Sequence, residues 1–190
     1  MERGYNNRTL YVNLSTNEIR ERPVDRKMKD TFTGGKGFDL WLLWNALPKG
    51  RVTGWDDPEN EICIACGPLG GTTLYPGSGK SICVTISPLT GSVIDSNVGG
   101  FFGPFLKFSG FDALEIQGRA DREVVVFIDG ETRRVVIEEA GDLPADTHLL
   151  VPALGERFGG GNPRSISTVT AGTGADHSLW GHLNFSYYDL

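Results

Sequence analysis

Apolar and polar residues alternate at the start of the chain, shift to a helical period, and then return to short strand-like runs punctuated by glycine and proline. Leu10 to Leu14 and Ile19 to Pro23 flank the polar quartet Ser15-Thr16-Asn17-Glu18, which predicts two strands joined by a tight turn. From Asp25 to Lys29 the pattern is helical, and it breaks at Gly34-Gly35-Lys36-Gly37. The next stretch sets Phe38, Leu40, Trp41, Leu42, Leu43 and Trp44 in a helix ending before Pro48, with little of its surface left for water. Ile62 to Cys66 reads as a buried strand after the polar loop Arg51 to Asn60, and Ser81 to Ile86 as a strand between glycine- and proline-rich loops. Phe101 to Phe108 fits a short helix after Gly99-Gly100, its aromatic stripe Phe101, Phe102, Phe105 and Phe108 being expected as the core face. Ala113 to Gln117, Val124 to Ile128 and Arg134 to Glu138 continue as strands, the last two joined by the hairpin signal Asp129-Gly130. A helix at His148 to Phe158 and strands at Ile166 to Thr170 and Trp180 to Phe185 complete the series. Many strands with few inserted helices place the chain in the α+β class with mainly antiparallel sheets, as one domain over residues 1–190.

Composition changes this picture in one respect. Apolar residues at 39% and charged residues at 22% are ordinary for a folded domain, but 26 glycines are about twice the usual frequency of roughly 7%. The excess points to tight turns and to places where backbone must approach something closely. A net charge of -6 argues against non-specific nucleic-acid binding, which needs clustered cations. No apolar run reaches the length of about 18 residues that a membrane helix requires, and no signal core follows Met1, so a cytoplasmic location without membrane contact is expected. The cysteines, Cys63, Cys66 and Cys83, are too few for a disulfide framework, which agrees with a reducing compartment.

Most candidate chemistry has a plainer structural reading. Cys63-x-x-Cys66 is a single pair in an apolar strand, where residues three apart face opposite sides, so burial is expected rather than metal binding. Gly34-Gly35-Lys36-Gly37 lacks the spacing of a phosphate loop and reads as a turn between helices. His148, His177 and His182 have no carboxylates at metal-site spacing, and no serine sits in a nucleophile elbow, so no catalytic residue is expected. Gly99-Gly100, bare backbone ahead of a helix, suits an anion.

Four stretches carry a family likeness. Val12-Asn13-Leu14-Ser15-Thr16 fits VNLSTG, Glu59-Asn60 through Gly67-Pro68-Leu69-Gly70-Gly71 fits PEN…GPLTG, and Ser87-Pro88-Leu89-Thr90-Gly91 fits SPLTG. The longest, Asn97 to Ala113, is similar in spacing and residue type to NSGGYFGAELKFAGYDA. These motifs resemble the N-terminal domain of the tungsten bis-pterin aldehyde:ferredoxin oxidoreductases. The resemblance implies two antiparallel sheets forming a saddle for the bis-pterin of tungsten or molybdenum, with Mg²⁺ between the pterin phosphates. It implies a [4Fe–4S] cluster in the full-length family, whose ligands have no counterpart here, and electron transfer to ferredoxin. By the same resemblance Lys80, Asn97, Val98, Gly99 and Gly100 contact the cofactor, and the Asn97 backbone carbonyl helps to hold Mg²⁺. Lys80 stands where the family has an arginine, a point charge in place of a bidentate fork.

The family's AGRGG loop, its cluster cysteines and its C-terminal acid–base residues have no counterpart before Leu190, so the missing half of the site must come from C-terminal domains or a separate subunit. The expectation is a cofactor-cradling domain of an aldehyde:ferredoxin oxidoreductase, inactive alone and prone to self-association. The alternative is a non-catalytic scaffold or assembly subunit that kept the fold without the cofactor.

Overall fold

The computed structural model describes residues 3–187. Its N-terminal hairpin joins β1 (Arg8–Asn13) and β2 (Glu18–Pro23). The turn closes because the Asn13 side chain accepts the Ser15 backbone N–H at 3.0 Å and Asn17 takes the left-handed conformation, φ 57°, that asparagine tolerates. Asp25 caps α1 (Arg26–Thr31) by accepting the Met28 N–H at 2.8 Å. α2 (Lys36–Ala46) begins inside the glycine cluster, where Gly34 and Gly35 have φ of 144° and 51°. β3 (Glu61–Cys66), β4 (Ser81–Ile86) and β5 (Val93–Val98) precede α3 (Phe102–Phe108) and β6 (Ala113–Gln117). The remainder is the ribbon β7 (Val124–Asp129) and β8 (Arg134–Glu139), α4 (Thr147–Phe158), and the short strands β9 (Val169–Thr170) and β10 (Asn184–Phe185).

The main sheet has six strands in the order β2-β1-β6-β3-β4-β5. Every neighbouring pair is antiparallel except β1 and β6, which run parallel. The period of two along each strand sorts side chains to opposite faces. On one face Ala65 and Ala113 lie with Met28 of α1 and Phe38 of α2, and Cys63 and Val84 with Leu43 of α2. On the other, Leu10, Val12 and Leu114 meet Leu106 of α3 and Phe111, with Val126, Ile128, Val135 and Ile137 of the β7–β8 ribbon packed at the margin. The fold is α+β with mainly antiparallel pairing, as the pattern predicts, divided between one large sheet and two two-stranded ribbons.

Four differences from the sequence reading have physical causes. β5 is absent from the predicted elements because Val-Ile-Asp-Ser-Asn-Val is an edge strand with five exposed residues, and so carries no apolar face to read. The aromatic stripe of α3 is not its core face: Phe108 is 66% exposed, while Gly103, Pro104, Leu106 and Lys107 are buried. Gly103 sets that orientation, since a Cβ there would stand 3.0 Å from Ser81 and 3.1 Å from the Cys66 sulfur, and only glycine lets the helix press so closely on the sheet. The outer side of α2 is open, with Trp44 67% exposed, because the helix has one sheet to lie on and its apolar residues run all round it. The last two strands keep only two residues each of the predicted runs. Among the described residues no helix is long and apolar enough to cross a membrane.

Candidate functional site

The glycine-rich loops gather at one end of the sheet, and the register shows how. β4 and β5 pair Ser81 with Val98, so Lys80 and Gly99 are the next residues along the two chains at the end of that ladder. Beyond them the backbones touch: a Cβ on Gly79 would lie 2.6 Å from the Gly100 carbonyl oxygen. Gly100 takes φ 92°, a conformation suited to glycine. Its far side is closed by the tail of the chain, where Phe101 stacks on Tyr187 at 5.4 Å and Phe102 meets Phe185 edge-on at 5.6 Å. Gly99 is exposed, and a Cβ there would meet nothing within 4 Å. The five residues singled out in the sequence therefore converge, with exposed Lys80 and Asn97, half-buried Val98 and Gly100, and an open backbone at Gly99.

Asn97 lies in β5 opposite Ile82, on an edge that leaves alternate N–H and C=O groups without a strand partner. The helix behind Gly99-Gly100 is only seven residues long and has no side-chain cap, so its dipole adds little and the bare amides are the main attraction for an anion. The Gly34-Gly35 turn joins the same end. Gly35 donates its N–H to the Cys66 carbonyl at 3.2 Å, and a Cβ on Gly34 would be 3.1 Å from that oxygen. It packs as an interhelical turn, and Lys36 pairs with Asp95 of β5 at 2.8 Å. Lys80 makes no ion pair among the described residues, which leaves its charge available at the open end.

The other candidates stay apart from this end. Cys63 faces α2 whereas Cys66 faces α3, its sulfur 3.2 Å from the Gly103 carbonyl, so the pair does point to opposite sides. Burial pushes the Cys66 and Cys83 thiols up to about 12 and raises Cys63 well above the usual thiol value, which makes all three poor nucleophiles. His148, His177 and His182 are exposed. Among the described residues no group of three or more His, Cys, Asp or Glu could hold a metal.

The sequence reading missed a set of buried acids beneath α2. The register puts Glu61 and Glu115 on one face as diagonal neighbours, 2% and 1% exposed. Asp39 of α2 is fully buried, and among the described residues neither carboxylate oxygen has a hydrogen bond of full geometry, the Ala65 backbone making a weaker approach. Arg22 pairs with Glu115 at 3.1 Å, and Thr9 donates to Glu115 at 3.0 Å. Burial, reinforced by the charge of Glu115, pushes Glu61 up to about 8. Burial likewise raises Asp39 well above the carboxylate range, with the Ala65 backbone opposing in part, and raises Glu115 against the pull of Arg22. The available signal was an acid inside each apolar run: Phe38-Asp39-Leu40, Glu61-Ile62 and Leu114-Glu115-Ile116.

A family model described as the aldehyde ferredoxin oxidoreductase N-terminal domain matches residues 9–183. The chain belongs to this family. A tungsten-containing aldehyde ferredoxin oxidoreductase of Pyrococcus horikoshii is 32% identical over 169 residues, covering 80% of this chain and 27% of the relative. Its counterpart from Pyrococcus furiosus is 38% identical over 124 residues, or 65% of this chain and 20% of the relative. An aliphatic sulfonate oxidoreductase, WOR-like subunit, also from P. furiosus, is 34% identical over 134 residues, 68% of this chain and 20% of its own. The chain thus spans between a fifth and roughly a quarter of these relatives. Among solved structures, the active-site complex BamBC of benzoyl coenzyme A reductase with 1,5-dienoyl-CoA superposes with a TM-score of 0.79 at 25% identity, over 90% of this chain and 25% of that one.

Proposed function

We propose that this chain is the cofactor-cradling N-terminal domain of a tungsten- or molybdenum-dependent oxidoreductase, and that the end of the sheet formed by Lys80 and Asn97 to Gly100 is one wall of a bis-pterin site. The supporting observation is the convergence of these five residues at an exposed, glycine-lined end of the sheet, in a chain of this family. The residues suit the group. A pterin phosphate needs N–H donors and positive charge, and the amides about Gly99 with unpaired Lys80 offer both. The Asn97 carbonyl is a hard oxygen of the kind Mg²⁺ accepts. When bound, the metal–pterin group supplies the redox chemistry. This chain's residues bind the phosphates, hold the cofactor's orientation and press Gly79 and Gly100 together to keep the wall rigid.

The relatives add a reason to place the cofactor, not the substrate, on this domain. Their names attach them to aldehydes, to an aliphatic sulfonate and to a benzoyl-CoA complex, yet the domain is common to all of them. What unlike substrates share is a cofactor platform. On this reading the remaining length of the relatives corresponds to the domains that bring the cluster ligands, the acid–base residues and the contact with ferredoxin, and the protein works in the cytoplasm.

Metal analysis and pterin extraction on the full gene product test the proposal. Tungsten or molybdenum should accompany a pterin, and the pterin content should fall severalfold in Lys80→Ala and in Gly79→Ala, whose new Cβ collides with the Gly100 carbonyl. A full product purified with neither metal nor pterin sinks the proposal and favours the scaffold alternative. The chain alone should show no aldehyde oxidation with a viologen acceptor, and measurable turnover would show that the reacting groups lie within it.

A further inference from the structure

The acids beneath α2 have no part in the cofactor wall, and their arrangement calls for its own explanation. Buried carboxyl groups are ordinarily paired. Here Asp39, Glu61 and Glu115 are buried on the face of the sheet that α2 covers, and among the described residues the cation paired with them is Arg22 of β2, at Glu115. The other groups turned to that face add no compensating charge. They include Thr9 and Tyr11 of β1, the latter opposite Glu115 with the Arg22 guanidinium 3.8 Å over its ring, the Cys63 thiol of β3, which donates to Glu61 across 3.7 Å, and the apolar Val84 of β4 and Met28 of α1. Cys66 and Cys83 lie within the electrostatic reach of Asp39. Lys27 of α1 points instead to the ring of Trp41, and Lys36 is spent on Asp95.

We infer that α2 is seated on a carboxyl layer in which Asp39 and Glu61 hold protons beside the Arg22-paired Glu115, so that loss of these protons lifts the helix and loosens the glycine turn at its start. The connection to the open end of the sheet is short. The Asp39 N–H is bonded to the Gly35 carbonyl at 3.0 Å, Gly35 lies against Ile82, and Lys36 is ion-paired to β5 two residues before Asn97. The layer thus gives α2 a pH-dependent grip that reaches β5 through a single ion pair. This inference stands whether or not pterin binds at Asn97, because it concerns the seating of a helix on its sheet.

The sign follows from linkage. With Glu61 raised to about 8 in the folded layer, the closed state holds a proton that an opened, hydrated layer releases at any pH above the ordinary carboxylate range. Opening therefore becomes more favourable as pH rises, about tenfold per pH unit for each proton released, and levels off above the folded value.

Amide hydrogen exchange read by mass spectrometry on the whole protein from pH 5.5 to 8.5, corrected for intrinsic exchange, tests this. The opening constant of α2 should rise at least tenfold per pH unit through neutrality, while the β7–β8 ribbon stays flat. Asp39→Asn and Glu61→Gln should each lower the slope by about one proton, and if one of them fails to fold the other decides. Lys36→Ala should leave the slope on α2 and remove it from β5. A flat profile on α2, the same slope in the β7–β8 ribbon, or slopes unchanged in both acid variants would overturn the inference, and persistence on β5 in Lys36→Ala would overturn the coupling.

Discussion

Lys107 and Asp112 form a deeply buried ion pair, 2.8 Å apart with side chains 8% and 1% exposed. Lys107 also donates to the Gly4 carbonyl at 2.5 Å, and the Asp112 carboxylate accepts the backbone N–H groups of Asn6 and Asn7 at 3.0 and 2.7 Å. Two residues thereby tie the N-terminal segment to the turn between α3 and β6. Removing one member of a buried pair leaves the other charge stranded, a cost of about 3–5 kcal/mol. Asp112→Ala should lose that much in urea denaturation, and a loss below about 1 kcal/mol would show that Lys107 finds another partner. Nothing in the residue pattern signals this pair, because Lys107 and Asp112 look like ordinary surface charges until α3 turns its lysine side inward.

Elements with an apolar run or alternation were legible: β1, β3, β4, β6 and the β7–β8 ribbon match their patterns to within two residues, and β2, mostly exposed, was found through the polar turn that joins it to β1. Elements whose surroundings are set by distant chain were not. β5 has no buried face, α3 is oriented by Gly103, and the Gly-Gly-Lys-Gly cluster proved to be the first turn of α2 as well as a loop. The candidate site was legible through its motif, and what the sequence left out was the strand that carries Asn97 and the contact of Gly79 with Gly100. The loop between β3 and β4 belongs to this scale too. It exposes Leu69, Leu74 and Tyr75 by 59%, 94% and 60% beside the open end of the sheet. Apolar patches of this kind drive association when uncovered. The chain alone should therefore self-associate in sedimentation velocity, and Leu74→Ser with Tyr75→Ser should shift it toward monomer. A concentration-independent monomer in the unsubstituted chain would remove the expectation.

At the scale of the molecule, the order β2-β1-β6-β3-β4-β5 places a late strand between two early ones. β6 pairs with β1 on one side, Thr9 against Ala113, and with β3 on the other, Ala65 against Ala113. Long-range pairing of this kind slows folding, because the connecting chain must be ordered before the contacts reward it. Leu114→Ala, which empties a buried position in the cluster of Leu10, Val12 and Leu106, should cost about 2–5 kcal/mol and slow refolding in stopped-flow mixing. Val135→Ala in the peripheral ribbon should mainly speed unfolding, and the reverse assignment would place the nucleus elsewhere. The same topology bears on the protein's birth. At a synthesis rate of about 5–20 residues per second, roughly 3–10 s separate completion of β3 from completion of β6. Through that interval a nascent chain emerging from the ribosome carries two naked strand edges facing each other across a missing strand, so the youngest form of this protein is the one most in need of a chaperone.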